Sequence, residues 1–268
     1  MLRIIVPVKQ VPETKSVKMD EATGTVIRQG VESIINPLDL YAIEAAIMLK
    51  EQYGGEITVV SMGPPQAEDA IREAIAMGAD SGILVSDKAF AGSDTWATAC
   101  ILSEAIKRSG GYDLIICGER ATDGDTGQVG PAIACRLNLP AATYINHIES
   151  VAGNECRLGR MVENGTEKLT MKLPGLITVV KEAGNPRLPT LRGKLKAKKQ
   201  EIPVYNQEIL QLDAGSIGLK GSPTRVVKIF KPKVGRECRM FQAADDKQLA
   251  GALDELMKFL EHKEPVCR

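Results

Sequence analysis

The densest set of groups capable of chemistry lies in one short run, Cys117 to Pro131, reading CGERATDGDTGQVGP. Glycines at 118, 124, 127 and 130 let backbone approach a ligand closely and take positive φ, while Thr126 and Gln128 can hydrogen-bond to it. A helix starting just beyond would aim free N–H groups at a phosphate. The apolar residues Leu114–Cys117 read as a buried strand, so the run leaves its carboxyl end, where open α/β sheets bind ligands. Asp123 and Asp125 suit bare phosphate poorly, so at least one is expected to cap the helix or bind a ribose hydroxyl. The same residues also fit a plain glycine-rich turn closed by an Asp N-cap.

Other chemistries are poorly supplied. The two histidines, His147 and His262, fall in an apolar strand-like run and in the C-terminal tail, and no GxSxG or HExxH occurs. The cysteines at 100, 117, 135, 156, 238 and 267 form no CxxC pair, which leaves free thiols and excludes a paired zinc knuckle. The first strand exit reads VPVKQVP, without GxGxxG or a Walker lysine, and its prolines remove N–H donors a dinucleotide fingerprint would use. Any redox chemistry must therefore come from a bound cofactor.

The elements that would position this loop follow from apolar periodicity. Short apolar runs at Leu2–Lys9, Ile57–Met62, Gly82–Val85 and Leu114–Cys117 alternate with helical stretches at Pro37–Gln52, Gln66–Met77 and Thr95–Ser109, the pattern of a parallel sheet covered on both faces. Asn36 is placed as an N-cap, Pro37 as first helical residue and Asp39 in the first turn. Residues 141–181 change to β-branched segments with turns at Gly153-Asn154 and Asn164-Gly165, a β extension of antiparallel strands. Beyond Asn185 the chain is rich in proline and lysine. It ends in an amphipathic helix near Asp245–Glu261 with Leu249, Leu253, Leu256 and Leu260 on one stripe. The division expected is an α/β domain over 1–200 and a C-terminal arm over 201–268.

Length and charge exclude several classes. With 268 residues the chain can bury a large core, and 34 basic against 34 acidic residues create no global field toward nucleic acid or an acidic membrane. The opening apolar run is too short for a signal peptide, and none reaches the roughly 20 residues of a membrane span. A cytoplasmic protein is expected. Arg187–Lys199 holds six Lys or Arg without an aromatic, a solvated face or, because Leu188, Leu191 and Leu195 interrupt it, a protein-docking segment.

Taken in order, VPVKQVP, INPLDLYAIEAA, VVSMGP, AIAMGAD, CGERATDGDTGQVGP, LPGLITV and NPRLPTLRGKLKAKK resemble the β subunits of electron-transfer flavoproteins over nearly the whole chain. The resemblance implies a sheet of the adenine-nucleotide-hydrolase-like, Rossmann-like type. It also implies a heterodimer with an α subunit carrying a redox FAD, and an adenine nucleotide held in the β subunit. That nucleotide is AMP in simple carriers. In electron-bifurcating members it is FAD, which takes electrons from NADH and passes them to ferredoxin or flavodoxin and to the α-subunit FAD. Simple carriers of the mitochondrial type have a bulkier, asparagine-containing version near Gly127, so DTGQVGP resembles the bifurcating or nitrogen-fixation-associated type, and FAD is expected with AMP as the alternative. Carried over by position, the nucleotide contacts implied are Pro7, Asn36, Met62, Asp123, Thr126, Gly127, Gln128, Val129 and Gly130. The segment implied to dock a partner dehydrogenase, acting on an acyl-CoA, a 2-hydroxy acid or a quinone, contains Leu191 as anchor with Arg192, Lys194 and Leu195. The arm is implied to wrap the α subunit.

Overall fold

The computed structural model describes residues 1–13, 18–19, 26–27, 33–227, 240–241 and 244–262. The apolar run LRIIVPV forms β1 (Leu2–Val8), with Ile4 through Val8 buried. Short strands β2 (Gln10–Pro12), β3 (Lys18–Met19), β4 (Val26–Ile27) and β5 (Ser33–Ile35) follow, pairing antiparallel as β2 with β5 and β3 with β4. The alternation read from the sequence comes next: α1 (Asp39–Tyr53), β6 (Gly55–Met62), α2 (Glu68–Met77), β7 (Ser81–Val85), α3 (Thr95–Arg108), β8 (Leu114–Gly118) and α4 (Val129–Leu137). β9 (Ala141–Ala152), β10 (Glu155–Val162) and β11 (Gly165–Lys172) meander through the two expected turns, and β12 (Gly175–Val179) returns to the sheet.

Nine strands form one sheet in the order β11-β10-β9-β12-β8-β1-β6-β7-β13, where β13 is Val204–Tyr205. From β9 to β13 the neighbours run parallel; β10 and β11 are the antiparallel extension. Both faces are covered, as continuous apolar strands require. Ile4, Val6, Ile57 and Val59 pack with α1 and α2 residues such as Ile43 and Ile71, while Ile5, Val60 and Ile115 pack on the other face with Ile101, Ile106 and Ile133. Asp94 caps α3 by accepting the Ala97 N–H at 3.1 Å, an interaction worth about 1 kcal/mol.

Two expectations change. Residues 191–199, within the basic run expected as a solvated face or a docking loop, form helix α5 (Leu191–Lys199) seated on α2. Gly193 makes this possible, because a Cβ there would stand 2.1 Å from the Ala76 carbonyl oxygen. The expected boundary after residue 200 also shifts. β13 pairs with β7, and the short helices α6 (Gln207–Leu210) and α7 (Gly218–Gly221) follow, with Leu210 and Ile217 buried in the core. These apolar side chains hold the segment to the sheet, and the first compact unit runs from Met1 to Ile229. Residues 228–239 of the expected arm lie outside the described residues. The second unit, Phe230–Arg268, contains helix α8 (Asp246–His262), whose Leu249, Leu253, Leu256 and Leu260 are half-exposed. No helix among the described residues is long and apolar enough to cross a membrane.

Candidate nucleotide site

The chain visits β1, β6 and β7 toward one edge, then returns to β8 and β12 on the other side of β1. The reversal between β1 and β8 is a topological switch point, and the carboxyl ends of these strands open the crevice expected to bind a ligand there. β1 pairs with β8 only at Ile4 and Ile5, so the strands part before Pro7, whose missing N–H leaves no donor unpaired. β1 leads into Lys9, and β8 into Gly118 and the 119–128 loop.

Two residues at the start of α1 join these exits. Asp39, buried, accepts the Lys9 N–H at 2.8 Å. Burial pushes its carboxyl up to about 7, against the opposing pull of that bond, of Asn36, of the Lys9 charge and of the Gly118 N–H. Gly118 must be glycine because a Cβ would lie 2.4 Å from Asp39 Oδ1. Asn36, fully buried, was expected to cap α1. Instead α1 begins at Asp39 after Leu38 with no capping side chain, and Pro37 lies in the preceding turn. The Asn36 amide serves the loop, donating from Nδ2 to the Arg120 carbonyl at 2.9 Å and accepting the Thr122 N–H on Oδ1 at 3.1 Å. Two backbone groups of the loop thereby find the partners that buried polar groups require.

The loop carboxylates are neutralised within the site. Lys9 Nζ lies 2.7 Å from both carboxylate oxygens of Asp123. Arg120 Nε lies 3.0 Å from Asp125 and 3.3 Å from Glu119. Neither aspartate caps α4, which has no side-chain cap at all, so the N–H groups opening this nine-residue helix keep their dipole for an anion. Gly127 sits at φ +62° with only the Glu119 carbonyl oxygen, at 3.3 Å, near the position of a Cβ. Gln128 receives the Thr95 hydroxyl at 3.0 Å, tying the loop's end to α3.

Of the residues expected at the site, Pro7, Asn36 and the run 123–130 gather around the β1/β8 exits. Met62 closes β6 one strand away, half-buried. Asp123 and Thr126 are exposed on the loop, and Val129 packs partly into the core. Gly130 has a packing reason of its own, since a Cβ there would meet the Thr178 methyl at 2.9 Å. Leu191, Arg192, Lys194 and Leu195 form a separate, exposed surface on α5, where Leu188 is exposed too. Sequence reasoning missed Lys9, Arg120 and Thr95, and gave Asp39 only a role in the helix dipole. Ser61, just before Met62, has a fully buried hydroxyl with no partner among the described residues. Cys117 is no nucleophile, because burial and then the Asp39 charge hold its thiol well above the usual range. A cleft of about 420 Å³ opens at the opposite, amino ends of β1, β6 and β7, beside Arg3, Glu56 and Ser81. It holds no loop residue, and the chemistry above lies elsewhere. Among the described residues no cluster could hold a metal ion.

These groups fit the phosphates of a nucleotide: an uncapped helix start, a glycine in left-handed backbone and an orphaned hydroxyl at adjoining strand exits, with the loop carboxylates already neutralised by Lys9 and Arg120. Comparison with known proteins gives the family. Residues 23–210 match the family model described as the electron transfer flavoprotein domain. The chain is 47% identical over 241 residues to the electron transfer flavoprotein subunit beta of Thermoanaerobacterium thermosaccharolyticum, covering 90% of this chain and 92% of that one. It is 43% identical over 258 residues to the caffeyl-CoA reductase-Etf complex subunit CarD of Acetobacterium woodii, covering 96% and 98%. It is also 42% identical over 257 residues to the protein FixA of Azotobacter vinelandii, covering 92% of each. With this likeness extending from end to end and the loop at the sheet's switch point, the chain belongs to the β subunits of the electron transfer flavoprotein family.

Proposed function

We propose that this chain is the β subunit of a heterodimeric, cytoplasmic electron transfer flavoprotein of the bifurcating type, binding FAD at the 118–131 loop. The observation that carries the reading is Gly127. Its backbone is left-handed and its α-carbon faces open space apart from one carbonyl oxygen, which leaves room beside the α4 N-terminus for a pyrophosphate and what lies beyond it. The likeness to the protein named as a caffeyl-CoA reductase-Etf complex subunit and to the FixA proteins supports the same choice.

In this reading the N–H groups of Val129 and Gly130 and the hydroxyl of Thr126 hold phosphate oxygens. Asn36 keeps the loop in place, and Gln128, fixed by Thr95, sets where α4 begins. Bound FAD would accept electrons from NADH and divide them between ferredoxin or flavodoxin and the FAD of the α subunit. No residue of this chain need donate or take a proton, which agrees with the absence of a histidine from the loop. The exposed leucines of α5, flanked by Arg192 and Lys194, would dock a flavin-dependent dehydrogenase.

Counting nucleotides released from the purified heterodimer tests the reading. Two FAD per heterodimer, with bleaching of the flavin by NADH, is the expected result. One FAD and one AMP, with no bleaching by NADH, would establish instead a simple carrier whose β nucleotide is structural.

A further inference from the structure

We infer that Lys9 anchors a strap: gripped by Asp123, it ties the tip of the 119–128 loop to the exit of β1 and slows release of the nucleotide bound at that loop. The inference rests on the nucleotide reading above and adds a positioning residue to it.

The anchor is fixed in place. The Lys9 backbone donates to Asp39 at 2.8 Å, and its carbonyl oxygen accepts the Asn36 N–H at 2.7 Å, so only the side chain is free to move. The base of the loop is held by Asn36 at Arg120 and Thr122, and its far end by Gln128 at Thr95. Between them the loop's other described bonds are internal: the Asp125 N–H to the Ala121 carbonyl at 2.8 Å, and Arg120 to Asp125 and Glu119. Among the described residues, Lys9–Asp123 is thus the tie between loop tip and sheet. A lysine at the first strand exit of a phosphate site would ordinarily be assigned to the phosphate. Here both oxygens of one carboxylate already hold it at 2.7 Å, while the helix start and the loop glycines remain for the anion. The side chains are 47% and 34% exposed, so the pair is weak and screened by salt, which makes it suited to opening.

The test uses the full chain in complex with its α subunit, as wild type, Lys9→Met, Asp123→Asn and the double variant. After timed gel filtration into nucleotide-free buffer, AMP and FAD retained beyond the one FAD of the α subunit are counted by chromatography. Each single variant should release the β-site nucleotide about fivefold faster at low ionic strength, the scale of an exposed ion pair, and the double variant no faster than either. Raising ionic strength should bring wild type to the variants' rate and leave theirs unchanged, with melting temperatures equal throughout. Faster release from Lys9→Met alone would make Lys9 a phosphate ligand and overturn the strap. Additive effects, or release rates equal to wild type, would overturn it as well. Wild type carrying no nucleotide beyond the α-subunit FAD would overturn the nucleotide reading itself.

Discussion

Replacing Gly127 by asparagine separates the two nucleotides the site could hold. The residue stands at φ +62°, a region that asparagine tolerates better than most side chains, and its Cβ would meet only the Glu119 carbonyl oxygen at 3.3 Å. That carbonyl must yield by a few tenths of an ångström, and the left-handed backbone costs a non-glycine residue roughly 1 kcal/mol. For a chain of this size that corresponds to a melting temperature lower by about 2–4 °C, so the fold persists. The ligand fares worse. Side-chain atoms forced into space needed for a pyrophosphate cost about 1–3 kcal/mol, which is roughly fivefold to more than a hundredfold in affinity. Gly124 provides the control, since a Cβ there meets nothing within 4 Å and Gly124→Asn should keep full nucleotide content. The assay is acid release and chromatographic counting of FAD and AMP from each purified heterodimer, beside a thermal melt. Expected for Gly127→Asn is loss of the β-site FAD with a near-native melt. Unchanged FAD content would refute the placement of the pyrophosphate, and a melt lowered by tens of degrees would refute the strain argument.

Other residues give independent tests. Asp39, raised to about 7, retains in the folded chain a proton that the unfolded chain has released above pH 3.8. Unfolding free energy should therefore fall with rising pH, by about 2–3 kcal/mol between pH 5 and 8, a slope that Asp39→Asn should flatten in urea titrations; an unaltered slope would refute it. Asp87, Asp94 and Asp113 are shifted down, so the stability they add is present above the ordinary carboxylate range and lost only at lower pH, outside that window. Arg187→Ala removes the guanidinium from Glu44, whose side chain is 6% exposed and keeps the backbone N–H of residue 187 at 3.0 Å, and from Glu51, and should cost about 2–4 kcal/mol in a denaturant melt. Leu191→Ala, at a side chain 77% exposed, should leave the melt and nucleotide content unchanged but slow electron transfer to the partner dehydrogenase about tenfold or more under subsaturating conditions; an unchanged rate would remove Leu191 from the docking surface.

What could be read without the structure was local. The alternation of β1, α1, β6, α2, β7, α3 and β8 follows from apolar periods, and the extension from two turn dipeptides. Helix α5 was missed because LRGKLKAKK is short and basic; it is sustained by docking on α2, where Lys196 Nζ reaches the Ala79 carbonyl at 3.0 Å and Ala197 is buried. Residues 204–221 were missed because Leu210 and Ile217 are isolated apolar residues without a period, yet each fills the core. In the loop, two aspartates beside a phosphate site formed the conflict between local chemistry and proposed ligand. Its resolution comes from Lys9, 114 residues before Asp123, and from Arg120 within the loop. Asn36 was drawn to the helix beside it because its real partner, Arg120, is 84 residues away. A short-range rule that fails at a glycine-rich strand exit therefore indicates where a long-range partner must be supplied. Here the partners come from the β1 exit and the turn before α1, so the residues that hold the loop are set by the order of strands in the sheet and not by the loop's own composition.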